Sequence, residues 1–176
     1  MQGTVIYQGP VPLFTHESDF LITTVPRIGI AVATADCVPL VIYSTKHRVV
    51  GIVHAGWRGT VAGIMQKALD AFLPFVHNDK ESVRIGIGPA ARVCCYEVSQ
   101  QFGESLHDAY QPYLVTRGSK IYFDVVGVNK KIIEECGILS GAIIDQNICT
   151  MHDMNYCSHR ASGGNPERQY TVIALK

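Results

Sequence analysis

The sequence has no surplus of charge of either sign. Fifteen Lys and Arg balance fifteen Asp and Glu, and charged residues make up only 17% of the chain. Nucleic acid or an anionic membrane surface would favour a basic surplus, so neither is an expected partner. No apolar run reaches the roughly 18 residues that a membrane helix needs. The opening "MQGTVIYQGP" has no basic start, apolar centre or cleavage site. No secretory leader is expected from it, and the expected location is cytoplasmic. None of the six cysteines, Cys37, Cys94, Cys95, Cys136, Cys149 and Cys157, forms a CxxC pair. A bridge between the neighbours Cys94 and Cys95 would be strained. In a reducing compartment free thiols are expected, most of them small core residues.

What is present suits one compact domain: 176 residues, 47% of them hydrophobic. Residues 20–54 read as four strands, "FLITTV", "IGIAVA", "VPLVIY" and "VVGIVH". Several are apolar throughout, which predicts burial on both faces. The period then changes. Val61, Ile64, Met65, Ala68, Leu69 and Phe72 form one helical stripe, with Thr60 as the expected N-cap and Pro74 at the end. "VRIGIG" predicts a strand, and residues 99–110 and 124–137 predict two helices, the latter capped by Asp124 and stopped by Gly137. "GAIID" and "QYTVIAL" predict further strands. The first four strands come together, so the expected class is α+β rather than a doubly wound sheet.

Three segments carry candidate chemistry. "IVHAGWRGT" sets His54, Trp57 and Arg58 in a glycine-rich corner between a strand and a helix. Unpaired N–H groups at the helix opening after Gly59, with the Arg58 guanidinium, suit an anion such as phosphate. "TADCVPL" places Asp36 and Cys37 in a turn between strands. If strands 38–43 and 49–54 form a hairpin, its open end brings Cys37 to His54. Thiolate and imidazole are zinc ligands, and zinc can activate water. "CSHRASGG" supplies His159 and Arg160 before a Gly163–Gly164 turn, and these residues are candidates to line the same pocket. Core packing, surface ion pairs and an inert buried thiol are the plainer explanations of the same residues.

"TADCVPL", "HAGWRGT", "IGP" followed by "CCYEV", Asp124 opening a helix, and "CT" followed by "YCSHR" occur in that order. Together, across roughly residues 20–176, they resemble the laccase-domain family, formerly called multicopper polyphenol oxidases, which includes the YfiH-like proteins. The resemblance implies an α+β fold of layered mixed sheets flanked by helices, of the Cys–His hydrolase-like type. It makes residues 1–176 a single laccase domain without the family's usual N-terminal segment. It implies phosphorolysis of purine nucleosides (adenosine, inosine, methylthioadenosine), with adenosine deaminase activity beside it. The implied partners are the nucleoside and phosphate, and the oligomeric state stays open. The implied cofactor is zinc, with copper as the alternative, held by Cys37, His54 and a third histidine whose place Gln2 occupies here. Arg92 and Val93 replace the family's second Gly-Pro, and Ala161 replaces a second arginine.

On that basis Cys37 and His54 are the expected catalytic residues and metal ligands. Asp36, Trp57, Arg58, Tyr96, His159 and Arg160 are the expected substrate contacts, with Trp57 or Tyr96 stacking on the base. Two other functions fit the same residues. One is a metal-independent Cys–His amide hydrolase, which would suit a peptidoglycan editing factor, with Cys37 as nucleophile and His54 as base. The other is a non-catalytic, truncated paralogue. A multicopper oxidase is disfavoured: the seven histidines, at 16, 47, 54, 77, 107, 152 and 159, include no HxH pair.

Overall fold

A computed structural model of the chain describes the backbone of residues 4–7, and residues 18–165 and 167–176. Gln2 and His16 lie outside the described residues. The centre is a six-stranded mixed sheet. Its strands are β1 (Thr4–Tyr7), β2 (Phe20–Thr23), β4 (Val38–Ser44), β5 (Val50–Ala55), β6 (Val83–Ile87) and β10 (Ile143–Asp145), in the order β1-β2-β5-β4-β6-β10. The two outer pairings are parallel and the inner three antiparallel. β3 (Gly29–Thr34) pairs with β11 (Gln169–Ala174) as an antiparallel ribbon. β7 (Glu97–Val98), β8 (Leu114–Arg117) and β9 (Lys120–Phe123) form a small third sheet. The helices are α1 (Trp57–Val61), α2 (Ile64–Phe72), α3 (Gln100–Ser105) and α4 (Val125–Glu135). None is long and apolar enough to cross a membrane, among the described residues.

The alternation of side chains divides the core in two. Val38, Leu40 and Ile42 of β4, with Val53 and Ala55 of β5, pack with α2 and α4 in the larger core. Val41, Tyr43, Val50 and Ile52 point the other way and meet Ile30 and Val32 of the ribbon. The central sheet is thus covered on both faces, as its apolar strands predict. The ribbon strand β3, by contrast, alternates exposed and buried residues, because only one of its faces is covered.

The structure revises several local expectations. The stripe from Val61 to Phe72 is not one helix. Gly63 adopts φ +75° and separates α1 from α2, and glycine takes that left-handed conformation without a Cβ clash. Thr60 is not an N-cap, since α1 opens at Trp57 after Gly56. Its N–H already donates to the Gly56 carbonyl at 2.8 Å, and its hydroxyl accepts from the buried Asn129 of α4 at 2.9 Å. The helix expected over 99–110 ends at Ser105, and a 3-10 turn, Asp108–Tyr113, follows. The β8–β9 hairpin was not predicted. Asp124 does cap its helix, accepting from Gly127 N at 2.8 Å, and Ser99, for which no cap role was expected, caps α3 by accepting from Phe102 N at 3.1 Å. The hairpin of β4 and β5 forms in the register Val38↔Ala55, Pro39↔His54.

Arg92, one of the departures from the family pattern, holds the far end of the sheet. It is 8% exposed and donates to both Asp145 oxygens, at 2.8 and 2.6 Å. Lys130 adds an ion pair at 2.7 Å. Burial opposes the Asp145 carboxylate, but the Arg92 and Lys130 hydrogen bonds and the Asn147 N–H outweigh it and hold its pKa well below the ordinary carboxylate range. A carboxyl depressed on folding stabilises above its unfolded pKa of about 4, and that stabilisation fades as pH falls through the folded value. Acid unfolding of Asp145→Asn is therefore expected to show a flatter stability slope below pH about 4 than the parent. Arg92→Ala should cost about 3 kcal/mol, read by urea unfolding at pH 7.

Candidate functional site

The β4–β5 register sets the first half of the site. His54 lies opposite Pro39 on one side and next to Asp19 on the other, where its N–H donates to the Asp19 carbonyl at 2.8 Å. Its Nδ1 lies 3.3 Å from Asp19 Oδ1. A carboxylate only accepts, so Nδ1 carries the proton and Nε2 is left to face a ligand. By alternation from Val50 and Ile52, His54 is on the ribbon face of the sheet. Cys37, just before β4, stands opposite Gly56. A Cβ on Gly56 would lie 3.1 Å from the Cys37 sulfur, so glycine leaves the thiol its room. Cys37 and His54 are thereby diagonal neighbours of one antiparallel pair, the relation in which side chains of a shared face come within reach. Asp19 contacts this pair at His54. Burial first, then the Asp36 charge, push the Cys37 thiol above its ordinary value; Arg168 opposes them, and Asp19 adds to the rise.

Asp36 is buried and takes φ +84°. Its two oxygens accept from Thr150 Oγ1 and Arg160 N, both at 2.8 Å, and its carbonyl accepts from Ala91 N at 2.9 Å. Both carboxylate oxygens are engaged within the protein, so Asp36 ties three loops around the Cys37 turn.

A cavity of about 640 Å³ opens beside this turn, lined by Trp57, Tyr96, Phe102, Met151 and Arg160 among others. Trp57 meets Phe102 edge-on at 4.8 Å between centroids. The Arg58 guanidinium lies 4.3 Å from the Trp57 ring centre, and that of Arg160 lies 5.1 Å from Tyr96. Arg160 links the cavity to the Cys37 turn through its N–H on Asp36. Burial raises the Tyr96 pKa, Arg160 and Arg58 oppose that, and Cys37 and Asp36 reinforce it. Arg160 also donates to the Glu97 carbonyl at 2.8 Å. His159 is exposed on its turn, with its ring beside Gly164.

The cysteines depart from expectation. All six are free, but only Cys136 is buried. Cys94, Cys95 and Cys149 gather with His152, their ligand atoms all within 4.8 Å of one another, and this group could hold a metal ion. Among the described residues, Cys37 and His54 acquire no third ligand atom at such range. Zinc takes three or four such donors, and these two are the ones the described residues supply at this turn. Sequence reasoning missed the second cluster. Two signals were available: the adjacent Cys94–Cys95 and the CxxH spacing of Cys149 and His152 in "CTMH".

A layered α+β fold with this ordered set of site loops defines the YfiH-like class. The family model described as multi-copper polyphenol oxidoreductase laccase matches residues 3–176, and the chain belongs to that family. Over 158 residues it is 34% identical to a purine nucleoside phosphorylase of Bacteroides thetaiotaomicron, covering 84% of this chain and 57% of that protein. Over 159 residues it is 32% identical to a purine nucleoside phosphorylase of Aquifex aeolicus, covering 90% and 71%. The crystal structure of Bacillus licheniformis hypothetical protein YfiH superposes with a TM-score of 0.81 at 30% identity, covering 90% of this chain and 62% of that one. The chain thus spans between 57% and 71% of the length of these proteins.

Proposed function

We propose that the chain catalyses phosphorolysis of purine nucleosides at the junction of the Cys37–His54 turn and the aromatic cavity. The observation that carries the reading is the continuity between them: Arg160 lines the cavity and its N–H donates to Asp36, the residue before Cys37, at 2.8 Å. The names of the relatives support the same reaction class. A purine ring stacks on Tyr96 or Trp57, as flat aromatic faces favour. Arg58 and Arg160 offer planar donor forks to phosphate. A phosphate oxygen attacks C1′ of the ribose as the C1′–N9 bond breaks. The departing purine takes a proton: His54 Nε2, with its ring oriented by Asp19, accepts it from the attacking hydrogen phosphate and passes it to the purine nitrogen. Cys37 stays a thiol and donates beside the sugar, while Asp36 and His159 act on loop position. The same Nε2 serves accessory adenosine deamination, in which water adds at C6 and ammonia leaves.

The amide-hydrolase reading needs a resting thiolate at Cys37, and the burial and carboxylates that raise its pKa work against one. Incubation with inosine and phosphate is the test. Hypoxanthine and ribose 1-phosphate in equal amounts are expected, with no reaction when phosphate is omitted. Absence of product, or release of free ribose independent of phosphate, rejects the reading. Adenosine run in parallel reports deamination as inosine and ammonia. Trp57→Ala is expected to raise KM for the nucleoside about tenfold, the loss of one aromatic contact worth about 1 kcal/mol or slightly more.

A further inference from the structure

We propose that Cys94, Cys95, Cys149 and His152 form a zinc centre, distinct from the Cys37–His54 pair, that staples the loop before β7 to the loop after β10. The inference stands on geometry and donor chemistry and is independent of the proposed reaction. The His152 ring nitrogens lie 2.9 Å from Cys95 Sγ and 3.8 Å from Cys94 Sγ. All four ligand atoms fall within 4.8 Å of one another. Zinc–sulfur and zinc–nitrogen bonds of about 2.3 and 2.0 Å give a tetrahedron with edges of about 3.5–3.8 Å, so a small contraction closes the site. Three sulfurs and an imidazole are a structural zinc set. Their softness excludes magnesium and calcium, and four donors exceed what copper(I) usually takes.

The surroundings are arranged for a thiolate-bound cation. The backbone folds tightly around Cys149, whose carbonyl accepts from His152 N at 3.1 Å and Asp153 N at 3.0 Å. Arg117 donates to the Cys94 carbonyl at 3.1 Å. Its positive charge offsets the net negative charge that three thiolates leave on a dication. The loops are already joined beneath the cluster. Ala90 forms a parallel bridge opposite Cys149, donating to Ile148 O at 3.2 Å and accepting from Thr150 N at 3.1 Å. A cavity of about 690 Å³ beside Cys94 and Cys149 gives the cation an entry path. As each Zn–S bond forms, the thiol proton passes to solvent, up to three per ion, and no electron moves. The staple acts on the neighbouring wall, because Tyr96 follows Cys95 directly and Met151 precedes His152.

The test uses the full chain carrying Cys37→Ala and His54→Ala, which removes the other thiol–imidazole pair. Titration with cobalt(II), then displacement by zinc(II), is expected to show one equivalent bound with an intense sulfur-to-cobalt charge-transfer band. Cys94→Ser and His152→Ala lie at exposed positions and should leave the fold intact by circular dichroism. Each is expected to weaken zinc binding by about 100-fold or more, since even loss of an outer-shell partner costs about 10–100-fold. Cys149→Ser is expected to abolish the band. Binding of less than half an equivalent, a cobalt spectrum without the charge-transfer band, or affinity unchanged in the folded Cys94→Ser and His152→Ala variants overturns the proposal. Because Cys37 and His54 are absent from this background, the outcome does not depend on whether phosphorolysis occurs.

Discussion

Replacing Asp36 with alanine is expected to lower the unfolding free energy by about 4–5 kcal/mol, read as a fall in the urea midpoint without a change in slope. Three losses combine. The Arg160 N–H and the buried Thr150 hydroxyl lose their acceptors, each at about 1–2 kcal/mol. The residue must also hold φ +84°. Alanine pays about 1–2 kcal/mol in that left-handed region, whereas Asp and Asn tolerate it better. Asp36→Asn separates these contributions. Its amide can still accept from Arg160 N, and the Thr150 hydroxyl can turn to accept from Nδ2. A cost near 1 kcal/mol is therefore expected for Asn. Equal costs for Ala and Asn would mean that the negative charge itself, rather than the hydrogen-bond geometry, holds the three loops.

His54→Ala is expected to reduce kcat/KM for inosine phosphorolysis by about 10²–10⁴-fold, the usual range for loss of a positioned general acid or base. Stability should change little, because His54 is only half-buried at the end of its strand. Asp19→Asn should lose much of the same activity, since an amide offers Nδ1 a mixture of donor and acceptor and no longer fixes which nitrogen faces the substrate. Cys37 distinguishes the competing mechanisms. As a neutral donor it should be partly replaced by serine, so Cys37→Ser is expected to keep several times the activity of Cys37→Ala. A nucleophilic thiolate would make both variants equally inactive. A protonated Cys37 also predicts slow alkylation at neutral pH, which mass spectrometry of iodoacetamide-treated protein can follow.

Local patterns foretold the central hairpin well. The β4–β5 pairing follows from two apolar runs joined by "STKHR", and its register alone places His54 opposite Pro39. The Asp124 cap was equally legible, because a side-chain acceptor three residues before a free N–H acts within one turn. The split at Gly63 was not. The apolar stripe continues across it, and only the tertiary demand for a left-handed residue breaks the helix. The β8–β9 hairpin was hidden because most of its residues are exposed and its strands lack a strong apolar face. In the site, nearness in sequence to the hairpin made Cys37 and His54 readable. Asp19 was not, because its contact with His54 depends on how β2 pairs with β5. The engagement of Asp36 by Thr150 and Arg160 joins residues more than a hundred positions apart. The Cys94–Cys95–Cys149–His152 cluster depends on the same kind of long-range closure between the loops after β6 and β10.

The most direct measurement is a phosphate-dependent assay of hypoxanthine release from inosine, run on the parent chain and on His54→Ala and Asp19→Asn. The parent is predicted to release hypoxanthine only with phosphate, His54→Ala to lose at least about 100-fold, and Asp19→Asn to fall between them. A parent that releases no hypoxanthine, or a His54→Ala variant as active as the parent, contradicts the account.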